Sequence, residues 1–593
     1  MYKGNAYGHR ADFLEWWSWS IIVIVMPRQV MGRASMHCIL LHIPKFSSVY
    51  LPLGEFMNIT YMPMGLPALA NRLTEFGYPT DIVHFGVEWI VDREHALLPE
   101  LAQTDAQMVG ADLYWHYQTY DVLDVLKRLK QARPDLFVFL GGTTASYFGD
   151  KLLAAYPFVD AVVRGDGEIA VVELAEARSG KRRMDEVANL IWRDPDGHIV
   201  TNARVAVSDQ GMLDSLDFGS LDRVRNVQVY VDNFGFPLAY PKQFSRQRNA
   251  ATQRMAARSF FPLFVGRGCA WECSFCGGNR KTLREIMQTA RLRFRDVRRV
   301  VDDVERAMEH GYKTMALCFD PTPQKDDYYV AMFEEIRRRR LAVDFYFECW
   351  GLPTPRFLAE WQKTFGVGNP HSYLALSPDA GNEAVRKLNK QPYYSNAEFF
   401  DTMDRMQAMG ISADIFFTIA LPGETIKTVQ DTRQMADYIR STYSVHKRVM
   451  TWSVQLEPGS PQFEYPERFN MTTNRRTVQD YFRVHGSGGS DTYTTLGYKI
   501  NDFFGDARDQ GSIEEFEAHI QSLKCMDFCF MGEEPSRASD PANGRAWCLE
   551  RRQELAAQAG IAGQLGILSD THRYAQAHEQ IRAAFPAQRP RWK

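Results

Sequence analysis

Apolar and polar positions alternate along the chain in two separate series. Residues 37–43 (HCILLHI) form a continuous apolar run stopped by Pro44, the pattern of a strand buried on both faces. Residues 63–77 then show apolar spacing of three and four closed by Gly77, which predicts a helix. Strands are predicted at 78–83, 107–113, 136–140 and 160–163, with helices over 122–131 and 145–155 between them. Strands alternating with helices at this spacing predict a parallel sheet covered on both faces, in a flavodoxin-like doubly wound α/β domain. Residues 206–258 lose the periodicity and read as a connector. From Phe261 the alternation resumes, with apolar runs LFVGRG, KTMALCFD, DFYFECW, SYLALSPDA, ADIFFTIALPG and VMTWSVQLEPG separated by helical stretches. Six such units predict a partial (β/α)6 barrel whose working end lies at the strands' C-terminal ends.

The predicted order is an N-terminal extension (1–36), the doubly wound domain (37–205), the connector (206–258), the barrel (259–470) and a small, mostly helical C-terminal domain (471–593) over the substrate. In the last, GSGGSD at 486–491 predicts a loop, and 513–523 and 547–558 predict helices.

Composition narrows the class. The 593 residues are 45% hydrophobic and 24% charged, with a formal net charge of −3. There is no basic footprint for nucleic acid. The apolar run at 18–25 is too short to span a bilayer, and Asp12 and Glu15 upstream are the wrong sign for a signal peptide. Nine cysteines in so long a chain do not form a disulfide framework, and three of them crowd into eight residues.

That triplet is Cys269, Cys273 and Cys276 in GRGCAWECSFCGGNR, spaced C-x3-C-x2-C on the loop after the first barrel strand. Thiolates are soft ligands suited to iron–sulfur clusters. Three ligands on a four-iron cube leave one iron open to another donor. Zinc ordinarily takes four protein ligands in a structural site, and no fourth Cys or His follows closely. Phe275 is placed to shield the cluster, and Gly277 and Gly278 let backbone approach it.

This stretch closely resembles the radical S-adenosylmethionine (SAM) superfamily. The resemblance implies that the open iron chelates the methionine amino and carboxylate groups of SAM, whose reductive cleavage yields a 5′-deoxyadenosyl radical. Asp320, in the strand-ending FDP of residues 319–321, stands where superfamily members contact the methionine amino group, although their Gly-Gly-Glu is replaced here. Ser377, Asp379 and Arg386, in ALSPDAGNEAVRK, stand where related barrels reach the ribose and carboxylate; a surface helix charge is the alternative for Arg386. LPGET at 421–425 is a further shared turn, or simply a Pro-Gly turn before a helix.

A doubly wound domain ahead of such a barrel resembles the cobalamin-binding domain of class B radical SAM enzymes. The resemblance assigns cofactor contacts to Gly141, Gly142, Thr143 and Thr144, to Gly165 and Glu168 of the next strand-end loop, and to Tyr114, Trp115 and His116 after the third strand. The Asp-x-His-x-x-Gly motif of cobalt-ligating domains is absent, so no histidine is assigned to cobalt; His116 is the nearest candidate, and packing of Tyr114 or Trp115 under the corrin ring is the expectation.

Together these features resemble the cobalamin-dependent C-methyltransferases of antibiotic biosynthesis. They imply a [4Fe–4S] cluster, SAM and methylcobalamin as cofactors, and a small-molecule substrate methylated at a poorly nucleophilic carbon. They also imply a flavodoxin- or ferredoxin-type electron donor and a cytoplasmic setting. Ring contraction or oxidative cyclisation without net methylation, and a non-catalytic cobalamin or redox sensor, are the alternatives. Cys525 and Cys529, with Cys548 downstream, are either a helix-face pair of core thiols or ligands of a second cluster.

Overall fold

A computed structural model describes residues 36–44, 62–91, 95–233, 260–287, 291–319, 325–419, 421–487 and 498–500. The N-terminal extension, the Cys525–Cys529–Cys548 group and the helices predicted at 513–523 and 547–558 lie outside the described residues.

The first apolar series builds a seven-stranded sheet of β1 (Cys38–His42), β2 (Thr80–His84), β3 (Met108–Asp112), β4 (Phe137–Gly141), β5 (Ala161–Val163), β6 (Leu190–Arg193) and β7 (Ile199–Thr201), in the order 2-1-3-4-5-6-7. Strands β1 to β5 pair in parallel, whereas β6 and β7 join antiparallel. Alternate side chains feed two cores. Cys38, Leu40, Ile82 and Phe139 face the helices Gly65–Glu75 and Ala170–Arg178. Ile39, Leu41, Val109 and Leu140 face Thr119–Ala132 and Thr143–Ala155. This is the doubly wound layer expected from period-two patterning within helix–strand repeats.

The connector departs from expectation. Residues 210–215 and 227–233 are helical, and Leu213, Leu216, Phe218, Leu221, Val224 and Tyr230 are buried in the same core as the sheet. Val224 also bridges Ile82, extending the edge beside β2. Apolar residues three or so apart in a polar background were the signal, and short segments hide it.

The second series forms an open six-stranded parallel sheet of β8 (Phe260–Pro262), β11 (Thr314–Leu317), β12 (Asp344–Cys349), β13 (Tyr373–Asp379), β14 (Ala413–Ile419) and β15 (His446–Ser453) in consecutive order. A small ribbon of β9 (Gly266–Arg267) and β10 (Arg293–Phe294) leads into the cysteine loop, and β16 (Met471–Thr473) pairs with β17 (Tyr498–Ile500). Helix starts are capped by their own sequence: Thr354, Ser395 and Thr425 accept the N–H of the third residue on. Glu424 of the LPGET turn folds back to accept the Leu421 N–H at 2.9 Å, so that turn is self-supporting. Of the C-terminal domain, helix Val478–Ser487 is described; its Val478 and Tyr481 are buried in the core on the N-terminal sheet. Among the described residues no helix is long and apolar enough to cross a membrane.

Candidate cofactor chamber

Cys269, Cys273 and Cys276 stand on the loop after β9, each half-buried. The loop is shaped by its own short side chains. Ser274 donates to Asn389 Oδ1 at 2.5 Å, and its carbonyl accepts the Gln462 N–H. Buried Asn279 donates to the carbonyls of Cys276 (2.6 Å) and Gly459 (3.0 Å). Gly277 donates its N–H to Glu457 Oε2 at 2.7 Å, and a Cβ there would come within 2.5 Å of the Pro458 carbonyl. Backbone therefore packs on backbone beside Cys276, as the glycine pair predicts. Phe275 packs on Ala380, Val385 and Leu421.

The donor set fits a cubane. Burial first, then the Glu457 carboxyl and the Cys273 and Cys269 sulfurs, raise the Cys276 thiol well above its ordinary value, so the three sulfurs share one site. Burial pushes the Cys269 thiol up to about 11, so cluster assembly must displace protons.

On the facing domain, the loops after β3 and β4 are welded together. Leu113 N–H donates to the Gly141 carbonyl at 2.8 Å, and Thr144 Oγ donates to the Tyr114 carbonyl at 2.9 Å. Gly142 has φ +95°, and a Cβ there would meet the Leu113 carbonyl and Tyr114 Cα at 2.9 Å. Tyr114 (49% exposed) and Trp115 (40%) stand edge to face at 4.9 Å. The Tyr114 hydroxyl is nonetheless pushed up, first by desolvation and then by the Cys276 sulfur, with Thr143 as its hydrogen-bond partner. The Tyr114 ring keeps accessible surface while its hydroxyl lies near enough to the Cys276 sulfur to be raised by it. Open aromatic surface and a glycine cradle at the ends of β3 and β4, next to the reversal of strand order between β1 and β3, suit a large planar cofactor.

Four of the residues expected at the cofactors have partners within the protein. His116 is buried, its Nδ1 lying 3.3 Å from His485 Nε2. Glu168 is buried in an ion pair with Arg267, 2.9 Å from its guanidinium, and holds the two domains together. Arg386 has no exposed surface: it donates to the carbonyls of Pro378 (2.8 Å), Ala380 (2.5 Å) and Tyr394 (3.0 Å) and to Asn396 Oδ1 (2.6 Å). It is not a surface charge, and it knits the turn after β13. Asp379, at φ +60°, is buried between Thr418 Oγ (2.8 Å) and Lys390 Nζ (2.8 Å), with both oxygens engaged inside the protein. Ser377 remains half-buried on β13, its carbonyl accepting from Tyr394 OH at 2.8 Å. Gly165 has φ +83° and donates to Ser146 Oγ at 3.0 Å, a turn role. Asp320 lies outside the described residues.

Sequence reading missed Glu457, Lys390 and Arg267. Lys390 is buried against Asp379 and near the Cys273 sulfur. Burial pushes Glu457 up to about 7, the Gly277 N–H opposing. Nothing local in EPGSP or LNKQP marks such burial.

The comparisons decide the class. Residues 263–436 match the radical SAM superfamily and residues 58–175 match the B12 binding domain. The chain carries a radical SAM domain and a B12 binding domain. Its cofactors are a [4Fe–4S] cluster, SAM and cobalamin. The enzyme is 24% identical over 383 residues to an anaerobic magnesium-protoporphyrin IX monomethyl ester cyclase of Rubrivivax gelatinosus, covering 63% of this chain and 61% of that one, so it spans about three fifths of that relative. It is 23% identical over 496 residues to a cytidylyl-2-hydroxyethylphosphonate methyltransferase of Streptomyces wedmorensis, covering 77% and 88%. In fold it is similar to the radical SAM methyltransferase TsrM of Kitasatospora setae, solved with cobalamin and a [4Fe–4S] cluster, with TM-score 0.54, 16% identity and coverage of 88% and 100%.

Proposed function

We propose that the enzyme methylates a poorly nucleophilic carbon of a small natural-product precursor. The observation that carries this reading is the adjacency of Tyr114, at the strand ends of the B12 domain, to the Cys276 sulfur. Bound there, the three cofactors supply hydrogen abstraction and a transferable methyl group, chemistry that belongs to them more than to the protein. The chain's part is to hold them. Cys269, Cys273 and Cys276 ligate the cluster, Gly277 and Asn279 fix its loop, and Gly142 and Tyr114 shape the corrin cradle. The methyltransferase relative supports this reading.

The cyclase relative favours a second reading, in which the same cofactors act without net methylation. An anaerobic assay with SAM, methylcobalamin and reductant separates the two. Methylation gives 5′-deoxyadenosine together with S-adenosylhomocysteine and a product heavier by the mass of CH2. Turnover without that mass gain favours cyclisation or rearrangement, and a reduced, cluster-loaded enzyme that leaves SAM intact contradicts both. A small flavodoxin- or ferredoxin-type donor and a reducing cytoplasm fit the cluster's need for an electron.

A further inference from the structure

A row of polar side chains crosses the inside of the barrel. Glu348 of β12 pairs in register with Ala375 of β13, Ala375 with Asp414 of β14, and Asp414 with Arg448 of β15. Leu317 of β11 pairs with Phe347, so Cys318 adjoins Glu348 at the other end of the row. Barrel interiors are usually filled by branched apolar side chains. Here the row reads Cys, Glu, Ala, Asp, Arg, with one small residue between two carboxyls.

The charges in this row do not balance. Arg448 meets Asp414 through two donors, Nε at 3.0 Å among them, and Asp414 has no exposed surface. That pair is closed. Glu348 receives hydrogen bonds from Tyr346 Oη (3.1 Å) and from the Cys318 thiol, both uncharged donors. Among the described residues no cation is ion-paired with it. Glu348 and Tyr346 are half-buried and Cys318 is exposed, although all three lie on the lumen side of the sheet. Their accessible surface leaves space beside these three, whereas Ala375 and Asp414 are closed off.

We propose that Glu348, with Tyr346 and Cys318 as its donors, binds one protonated amine in the barrel lumen. A single positive charge there offsets both the burial of the carboxylate and its repulsion by Asp414. An alcohol or an amide gains a hydrogen bond but leaves the charge unanswered. Desolvation and Asp414 both push the Glu348 carboxyl up, as expected of a carboxyl whose countercharge is to come from a ligand. The amine belongs to the substrate, since the amino group of SAM gives its lone pair to the open iron. The site rests on the reading of the barrel mouth as the reaction chamber, and it narrows the substrates considered.

The test is equilibrium dialysis of the full-length, cluster-loaded enzyme under anaerobic conditions at neutral pH, with phenethylamine and 2-phenylethanol as probes of equal shape. The amine is expected to bind about tenfold or more tightly than the alcohol. Glu348→Gln is expected to remove that advantage and leave alcohol binding as it was, with wild-type iron content as the check on folding. The comparison of the two probes on the unaltered enzyme stands even if the variant fails to fold. SAM and the amine are expected to bind together; displacement of the amine by SAM would overturn the site as one for the substrate. Equal binding of amine and alcohol to the wild type, or an amine advantage that survives Glu348→Gln, overturns the site. No turnover is read, so this result is separate from that of the methylation assay.

Discussion

Arg267, two residues ahead of the first cluster cysteine, is ion-paired with Glu168 at the start of the helix after β5, its Nη1 standing 2.9 Å from Glu168 Oε2. Arg267 also reaches Asp166 at 3.0 Å, and Arg293 of β10 pairs with Asp166 and donates to the Ser208 carbonyl at 2.6 Å. Two guanidiniums from the cluster ribbon thus meet two carboxylates from the B12 domain, with Arg293, Asp166 and Glu168 buried and Arg267 half-buried. Removing one partner of such a pair strands the other in a medium that penalises lone charge. Arg267→Met is expected to cost about 3–5 kcal/mol, read as a lowered unfolding midpoint. Arg267→Met with Glu168→Leu should recover part of that loss.

The same pair sets an acid limit. Burial pushes the Glu168 carboxyl up, but the Arg267 guanidinium overcomes this and holds it at about 2, below the usual 4.5. A carboxyl with a depressed native value stabilises the fold fully above its unfolded value. That contribution is lost as pH falls from about 4.5 towards about 2. Stability measured against pH should drop across this window, and Glu168→Gln should lower the plateau and flatten the slope.

Gly142→Ala tests the corrin cradle. Its φ of +95° disfavours any side chain, and the added methyl meets backbone at 2.9 Å. The loops after β3 and β4 must then part. Cobalamin retained after purification is expected to fall several-fold while iron content is unchanged. Equal cobalamin retention would place the corrin elsewhere.

Arg386→Lys separates a knitting residue from a SAM ligand. Four acceptors around one planar fork cannot all be met by a single ammonium. A loss of about 2–4 kcal/mol in stability is expected. A wild-type unfolding midpoint with weakened SAM binding would restore the ligand role.

Much of this was legible in the chain. The strand runs 37–43, 107–113 and 136–140 lie within a residue or two of β1, β3 and β4, because strands buried on both faces are unbroken apolar runs. The cysteine loop was legible because ligand chemistry fixes its spacing. Glu168, Arg386 and His116 were read as cofactor contacts because a polar residue after a strand looks alike whether it meets a ligand or a distant partner. Their partners Arg267, Asn396 and His485 are brought in by the tertiary fold. The helices at 210–215 and 227–233 were missed because two turns are too short for periodicity to show.

A single cluster is expected from the triplet. Anaerobic reconstitution should give about four irons per chain, and Cys276→Ala should bring this close to zero. About eight irons, with four surviving Cys276→Ala, would assign a second cluster to other cysteines.

The most direct test is the electron paramagnetic resonance spectrum of the reduced, reconstituted enzyme before and after SAM is added. A three-cysteine cluster with an open iron predicts a spectrum whose g values shift when the cofactor's amino and carboxylate groups reach that iron. An unchanged spectrum at full iron content, or a metal analysis that returns zinc in place of iron, would contradict the account.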